Sequence, residues 1–293
     1  MGDEGRTMEN NNFLLRVQSN YNQFTQVEKR VADFVLKNKK EVLYMSISDL
    51  AAACGVGDTS VFRFCKKMKL KGYQDFRREL SLCINENAGE SEENKTKDIS
   101  PDDSFEVYAK KIMQNNMNAL SETFMLLDKD VFMRVMDYFE AAQDVYFFGV
   151  GASMLSAMFA FNKFLRITTK VHCAADIRMQ TMMSSMLTEN CLAVVISYSG
   201  SSKESIQFAK LAKSSGARVV CISKYYKSGL SAYADEVLLC GINEEGLLLG
   251  ASTSSYMGRL YLLELMYLEY YNRQRYRSEL NHIKSTAAFN EDT

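Results

Sequence analysis

The stretch SISDLAAACGVGDTSVFRFCKKMKLKGY, residues 46–73, decides the fold of the N-terminal part of the chain. Two helices joined by a tight turn need a small residue where they touch, a glycine where the first helix ends, and apolar residues that hold the second helix against the first. Residues of these kinds follow one another at the required spacings: Ala51, Gly55, Val56, Val61 and Phe64. The stretch therefore predicts two packed helices joined by a turn, and the second helix begins at Asp58.

The outward surface of that second helix carries the residues that would meet a partner. If Val61 and Phe64 point inward, the opposite side of the helix is polar and basic. A guanidinium suits the guanine edge in the major groove of DNA, an exposed Phe suits a thymine methyl group, and lysines suit phosphates. The predicted DNA-contacting residues are Thr59, Ser60, Phe62, Arg63, Lys66 and Lys67. A solvated, lysine-rich helix is the alternative, but the steric pattern and the local positive charge together favour DNA binding.

Charge is distributed unevenly along the 293 residues. The whole chain has a net charge of -1, from 35 basic and 36 acidic residues. The segment 25–80 nevertheless carries twelve basic and seven acidic residues, whereas 86–106 carries two basic and eight acidic residues. The acidic segment lacks apolar periodicity and contains the only proline, Pro101, so we interpret it as a linker. The predicted parts are a first domain of residues 1–85, an acidic linker of residues 86–104, and a second domain of residues 105–293.

Composition excludes several classes of protein. With 47% hydrophobic and 24% charged residues, the chain is neither disordered nor collagen-like. Residues 1–12 lack the apolar core of a signal peptide, and the apolar runs are far shorter than the roughly 20 residues of a membrane helix. Seven cysteines without a C-x-x-C pair predict neither a disulfide framework nor a zinc site. We expect a cytoplasmic protein with no metal, no cofactor and no membrane contact.

The second domain alternates short apolar runs with helix-length segments. The runs are rich in β-branched and aromatic residues: VYFFG, KVHCA, LAVVIS, RVVCIS and EVLLC. Runs that are apolar on both faces and separated by helices describe parallel strands covered by helices, hence a doubly wound α/β domain. The segment 105–141 before them predicts two helices. The apolar segment 256–271 predicts a buried helix, and an interface between two copies of the chain is one place for it.

Two strand-to-helix junctions of this domain are rich in glycine and hydroxyl groups. They are FFGVGASM, residues 147–154, and ISYSGSSKES, residues 196–205. Ligands of a parallel α/β sheet gather at the carboxyl ends of the strands, where backbone N–H groups and helix N-termini attract anions. Serines that only cap helices are the alternative for each loop taken alone. A dinucleotide site is disfavoured because the third glycine of G-x-G-x-x-G is missing, and no G-x-S-x-G elbow indicates a hydrolase.

The first domain resembles the DNA-binding domain of the RpiR family of bacterial transcriptional regulators over 25–80. The resemblance includes EKRVADFVL, the turn A-x-x-x-G-V, then VFRFCKK and KGYQDF. Where that family usually has a serine and a threonine around the start of the second helix, this chain has Gly57 and Ser60. Glycine lacks a side-chain acceptor, so either the helix cap is weaker or Asp58 replaces it.

The second domain resembles the sugar isomerase (SIS) domain over 131–271, and the order of the two domains matches RpiR-type regulators. The phosphate-binding pattern S-x-S-G-x-[ST] is matched by residues 197–202, and the earlier G-x-G-x-S element is matched by 149–153. The resemblance implies a flavodoxin-like parallel sheet and a sugar-phosphate site at these residues: Ser153, Ser197, Tyr198, Ser199, Gly200 and Ser202.

The resemblance implies a regulator of carbohydrate metabolism whose SIS domain senses a phosphorylated sugar. Isomerisation would need a base in the pocket, and the conceivable bases are His172, Asp176, Glu204, Glu244 and Glu245. Because a DNA-binding domain is attached, we predict a sensor without catalytic residues. The expected partners are operator DNA, the phosphorylated sugar effector and further copies of the chain in a homodimer or homotetramer. The alternatives are a SIS-type isomerase or lyase with an attached nucleic-acid-binding domain, and a scaffold that only oligomerises.

Overall fold

The computed structural model describes residues 13–85, 99–241 and 253–288, and it divides into two compact units, 1–98 and 99–293. Most of the predicted acidic linker, residues 86–98, lies outside the described residues. Its last residues form a turn that belongs to the second unit, where Asp103 accepts hydrogen bonds from the Ser100 N–H and the Lys111 ammonium. Within the described ranges, no helix has both the length and the apolar character needed to span a bilayer.

The first unit is entirely helical over the residues described. Its helices are α1 Phe13–Ser19, α2 Gln26–Lys37, α3 Lys39–Val42, α4 Ile47–Ala53, α5 Asp58–Lys67 and α6 Tyr73–Asn85. The Thr25 hydroxyl accepts a hydrogen bond from the Glu28 N–H, and the Glu28 carboxylate accepts one from the Thr25 N–H. This capping box starts α2, and Ser46 with Asp49 starts α4 in the same way.

The predicted contact between the two helices of the turn is confirmed. Leu50, Val61 and Phe64 are fully buried, and Ala51 is 2% exposed. They join one apolar core in which the rings of Phe64 and Phe76 meet edge to face. Burial of this face fixes which side of α5 is left for solvent.

The second unit contains a five-stranded parallel sheet, and each of the five predicted apolar runs forms one of its strands. Two helices come first, α7 Phe105–Leu126 and α8 Lys129–Ala141. The strands and helices that follow are β1 Asp144–Gly149, α9 Ala152–Leu165, β2 Val171–Cys173, α10 Ile177–Ser185, β3 Cys191–Ile196, α11 Lys203–Ser214, β4 Arg218–Ser223, β5 Glu236–Leu239, α12 Thr253–Arg273 and α13 Arg275–Ala287. The strand order β2-β1-β3-β4-β5 is that of flavodoxin-like folds, as predicted.

Helices cover both faces of the sheet, as the doubly wound prediction requires. On one face Phe139, Phe164 and Met266 pack against Phe147 of β1. On the other face Phe208 of α11 packs against Phe148 of the same strand. Consecutive residues of β1 are therefore buried on opposite sides, which explains why the strand lacks charged residues after Asp144.

Helix α12, which the sequence predicts to be buried, is buried within its own unit. Leu262, Leu263 and Met266 are at most 1% exposed and belong to the core beside the sheet. Helix α7 packs on it closely: a methyl group at Gly258 would lie 2.5 Å from the Thr123 hydroxyl oxygen. The chain itself therefore covers much of the apolar surface of this helix, and the interface between copies suggested for 256–271 stays a prediction.

Candidate functional site

The turn between α4 and α5 has the geometry that the sequence predicts. Gly55 has a φ of 63°, in the left-handed region that a side chain disfavours. The Val56 N–H donates to the Ala51 carbonyl at 2.9 Å and closes the turn. Helix α5 then begins at Asp58, with Gly57 as its N-cap and no side-chain cap. Asp58 does not replace the missing cap, because its carboxylate accepts a hydrogen bond from Ser48 instead.

The outward face of α5 presents most of the predicted DNA-contacting residues together. Thr59, Phe62, Arg63 and Lys66 are exposed, and Ser60 is half-buried. The Lys66 ammonium lies 5.3 Å from the centre of the Phe62 ring, so the ring and the charge occupy one surface. No hydrogen bond or ion pair within the described residues engages the Arg63 guanidinium, which leaves its donors free for a partner.

The Lys67 ammonium contacts residues far away in the chain, whereas the Lys66 ammonium donates locally to the Lys71 carbonyl at 3.0 Å. Lys67 donates to Glu28 of α2 at 2.9 Å and to the Gln23 carbonyl at 2.5 Å. Burial raises the pKa of Glu28, but the hydrogen bonds from Lys67 and Thr25 outweigh it and lower that pKa overall. Lys67 therefore ties α5 to α2, a role that the sequence pattern does not reveal.

Lys69 adopts an unusual backbone conformation just after α5. Its φ is 62°, and the Leu70 N–H donates to the Cys65 carbonyl across it. This is the Schellman end of a helix, where glycine is the favoured residue and a side chain costs about 1 kcal/mol or more. Lys69 is thus a cation at a position where glycine would make the first unit more stable.

The loop after β1 is held by a side chain from a distant helix. Gln180 of α10 is fully buried, and its amide accepts from the Gly149 N–H at 3.0 Å and donates to the Gly149 carbonyl at 3.1 Å. Gly151 follows with φ 58° and ψ -128°, a conformation open only to glycine, and it is the N-cap of α9. These constraints place Ser153, which is 8% exposed, in the first turn of α9.

The loop after β3 lies on the neighbouring strand. Ser197 is buried, and its N–H donates to the Ile222 carbonyl. Ser199 is exposed, and its hydroxyl lies 2.8 Å from that of Ser201. Ser202 caps α11 by accepting from the Ser205 N–H, as the alternative interpretation of this serine requires. The two serine loops thus follow adjacent strands, β1 and β3, where the strand order reverses.

A third loop, which the sequence pattern does not identify, completes this carboxyl edge. It follows β4, and the Lys224 N–H donates to the Tyr198 carbonyl at 2.8 Å. The Lys224 ammonium lies 5.3 Å from the centre of the Tyr198 ring. Gly200, with a φ of 64°, allows the loop to approach Ser228 more closely than any side chain could.

Arg259 of α12 is a second cation at this edge that the sequence reasoning missed. Its guanidinium donates to the Ser153 hydroxyl at 3.0 Å, and its central carbon lies 5.8 Å from the centre of the Tyr198 ring. It therefore bridges the first two loops. The one available signal is a lone arginine at the start of the apolar stretch YMGRLYLLELMY.

Each conceivable base among the described residues forms a hydrogen bond within its own unit. His172 contacts Asp144 at 2.7 Å, and Asp144 begins β1 at the end of the sheet opposite the loops. Asp176 caps α10 by accepting from the Met179 N–H. Hydrogen bonds from its own N–H and from Ser202 lower the pKa of Glu204, which makes its carboxylate a weaker base. Glu244 and Glu245 lie outside the described residues.

Within the described ranges, no group of three or more His, Cys, Asp or Glu residues is arranged to hold a metal ion.

Comparison with known proteins assigns both units. A model of the helix-turn-helix domain of the rpiR family matches residues 11–86, and a model of the SIS domain matches residues 138–269. An HTH-type transcriptional regulator of Haemophilus influenzae is 32% identical over 256 residues, which are 87% of this chain and 88% of that protein. The HTH-type transcriptional regulator HexR of Pseudomonas aeruginosa is 34% identical over 209 residues, 71% of this chain and 72% of HexR.

A solved structure agrees with these relatives along nearly the whole chain. The Vibrio vulnificus NanR protein complexed with ManNAc-6P aligns over 96% of this chain and 99% of its own, with 26% identity and a TM-score of 0.60. The helical unit, the parallel sheet and the sequence relatives lead to one assignment: the chain belongs to the RpiR family of helix-turn-helix transcriptional regulators and carries a SIS domain.

Proposed function

We propose that this regulator binds a phosphorylated sugar between the loops after β1, β3 and β4, and that binding changes its affinity for operator DNA. The observation that carries the proposal is the convergence of Ser153, Ser197 and Ser199 at the point where the strand order reverses. Hydroxyl groups and helix N-termini there would surround a phosphate. NanR, the similar protein of known structure, was solved with ManNAc-6P, a sugar phosphate. The site residues proposed for this chain are Ser153, Ser197, Tyr198, Ser199, Gly200 and Ser202.

We infer that the pocket senses its ligand without converting it. His172, Asp176 and Glu204 each form a hydrogen bond that disfavours a role as the base that moves a proton between sugar carbons. A ligand can then regulate only by binding the DNA-competent and incompetent arrangements with unequal affinity. The seven cysteines are all free thiols, which supports the reducing cytoplasm as the place of action.

The experiment that tests this function is a thermal-shift screen of the full chain against a panel of sugar phosphates, each beside its unphosphorylated sugar. We expect at least one phosphate ester to raise the melting temperature and to change DNA affinity, with the ester recovered unchanged. Ser199→Ala combined with Ser202→Ala should abolish the shift. Since Ser202 also caps α11, the matched control is Asp128→Ala, which removes the cap of α8 and should retain the shift.

Two outcomes would contradict the proposal. Stoichiometric turnover of the ester, followed by NMR, would replace the sensor by the isomerase or lyase alternative. A full shift in the double serine variant would mean that the phosphate binds at another place on the domain.

We also propose that the chain acts as a homodimer through α7. Four apolar side chains at spacings of four, three and four residues form an exposed stripe on this helix: Met113, Met117, Leu120 and Phe124. A stripe of this kind on a helix is an interface signal, because exposed apolar patches are uncommon on monomers. A second copy fits it because regulators of this class read paired DNA half-sites with paired domains.

Sedimentation equilibrium measures this assembly directly. The full chain should sediment at about twice its mass of 33.3 kDa or more, and Met117→Glu combined with Phe124→Glu should yield a folded monomer. Leu268→Glu serves as control, since Leu268 is an equally exposed apolar residue on α12. Dissociation by the control variant and not by the α7 variant would place the interface on α12 instead.

A further inference from the structure

Arg259 is the most buried charged side chain of the second unit among the residues described. Only 2% of it is exposed, yet no described carboxylate forms an ion pair with it. One terminal nitrogen donates to the Ser153 hydroxyl, and Nε has no hydrogen-bond partner. Its remaining neighbours include the rings of Tyr198 and Tyr256, whose centres lie 5.8 and 5.7 Å from the guanidinium carbon.

This environment is incomplete for an arginine. A guanidinium cannot lose its proton in a protein, so its burial must be compensated by an anion or by a full set of acceptors. Two half-buried cations of the same unit have such compensation. Arg273, also on α12, contacts Glu269, Asp137 and Glu140, and the Lys170 ammonium donates to three backbone carbonyls. Cation–π contacts and one neutral hydroxyl offset less than this.

The contact with Ser153 also determines how that hydroxyl can be used. Because the Ser153 oxygen accepts the hydrogen bond from Arg259, its own proton remains to be donated to another acceptor. Ser153 lies in the first turn of α9, at the loop proposed to hold the phosphate. An anion placed there would receive the Ser153 proton and would lie close to the Arg259 charge.

We propose that Arg259 is the counter-charge of the SIS pocket and that it selects a dianionic phosphate monoester over monoanionic and neutral ligands. This inference rests on the proposed function and adds the charge of the ligand to it. Arg259 contributes the positive charge and orients the Ser153 hydroxyl, whereas the serine loops contribute hydrogen bonds without charge. Lys224, half-buried beside the same Tyr198 ring, adds a weaker and more solvated charge.

The test compares two probes of equal shape and different charge at pH 8, methyl phosphate and methyl sulfate, by calorimetric titration of the full chain. The ester of phosphoric acid is a dianion at this pH because its second pKa is about 6. We expect the wild-type chain to prefer methyl phosphate. Arg259→Gln should weaken the binding of methyl phosphate by roughly tenfold or more and the binding of methyl sulfate by less. The preference for methyl phosphate should therefore decrease. Arg259→Lys, which keeps the charge, should retain most of the preference for methyl phosphate.

The control is Arg273→Gln, which removes the ion pairs of a half-buried arginine on the same helix. It should lower stability and leave the preference for methyl phosphate intact. An equal loss for both probes in Arg259→Gln, without rescue by Arg259→Lys, would reduce Arg259 to a packing role and overturn the inference. If Arg259→Gln fails to fold, the Arg259→Lys variant decides. Loss of the preference for methyl phosphate over methyl sulfate in this charge-conserving variant would overturn the inference.

Glucose 6-phosphate and glucose provide the arm that separates this inference from the proposed function. If the wild-type chain binds neither methyl phosphate nor any sugar phosphate, the proposed function itself fails. If it binds a sugar phosphate and Arg259→Gln binds it equally well, only the role of Arg259 is wrong.

Discussion

Replacing Gly149 by alanine is expected to destabilise the second unit by about 3 kcal/mol. The added methyl group would lie 2.5 Å from the Ser153 carbonyl oxygen and 2.7 Å from its carbon, both of them backbone atoms of α9. Gly149 cannot move away, because Gln180 holds its N–H and its carbonyl and β3 pairs with it at Ile196. Helix α9 would have to shift, and Ser153 would shift with it.

Denaturant unfolding of the full chain measures the loss, and Gly229→Ala is the matched control. At Gly229 the added methyl would lie 2.7 Å from Cδ1 of Ile206, which is the far end of a flexible side chain. The same chemical change at nearly the same distance should therefore cost far less, within about 1 kcal/mol. Equal midpoints for the two variants would show that the β1–α9 junction is pliable and that its glycine is dispensable.

Replacing Arg63 by alanine is expected to reduce the discrimination between the preferred DNA sequence and unrelated DNA by about 1–3 kcal/mol. Arg63 is exposed on α5, and none of the described residues engages its guanidinium, so it can bond two acceptors of a guanine edge. The preferred sequence is obtained by selection from a random duplex library with the full wild-type chain. Affinity for selected and scrambled duplexes is then compared at one stated salt concentration.

Lys69→Gly is compared with Arg63→Ala. It removes a positive charge without lowering the stability of the first unit, so a loss of DNA affinity cannot come from unfolding. Because Lys69 has a φ of 62°, glycine should stabilise the first unit by about 1 kcal/mol. Lys69 is an exposed cation just after α5, so we expect it to contact a DNA phosphate. Loss of this contact should weaken binding to all sequences alike and reduce the salt slope by about 1. Lys67→Ala is a poorer choice, because it would also leave the buried carboxylate of Glu28 without its partner.

Two results would contradict the assignment of α5 to the DNA groove. Unchanged discrimination in Arg63→Ala would move base contacts to another element. Unchanged salt dependence in Lys69→Gly would mean that the lysine at this helix end serves a purpose other than phosphate binding.

The amino-acid sequence predicted the local structure of both units because each element carries its own signal. Thr25 with Glu28 marks the start of α2, and Gly55 marks the end of α4. Five apolar runs predicted five strands, since a strand covered on both faces must be apolar at every position. The two serine loops also carry a local signal, because their glycines and hydroxyl-bearing residues are adjacent in the sequence.

Only the tertiary structure revealed the contacts between residues that are far apart in the chain. Gln180 is hydrogen-bonded to Gly149, and Arg259 donates to Ser153, which lies 106 residues away in the chain. Lys67 forms an ion pair with Glu28. No periodicity or cap couples such positions, because their meeting depends on how the helices dock on the sheet or on each other.

The surfaces of α7 and α12 show the same difference between what the sequence predicts and what packing decides. Apolar content identified α12 as buried, but the partner that buries it was decided by packing: α7 and the core of its own unit cover α12, and α7 keeps an apolar stripe exposed. The sequence thus determined which segments are helices, strands and loops rich in glycine and serine, through patterns that act within a few residues. Docking in three dimensions decided which surfaces stay exposed and that Arg259 is buried without a carboxylate partner among the described residues, because burial and electrostatics depend on neighbours from the whole fold.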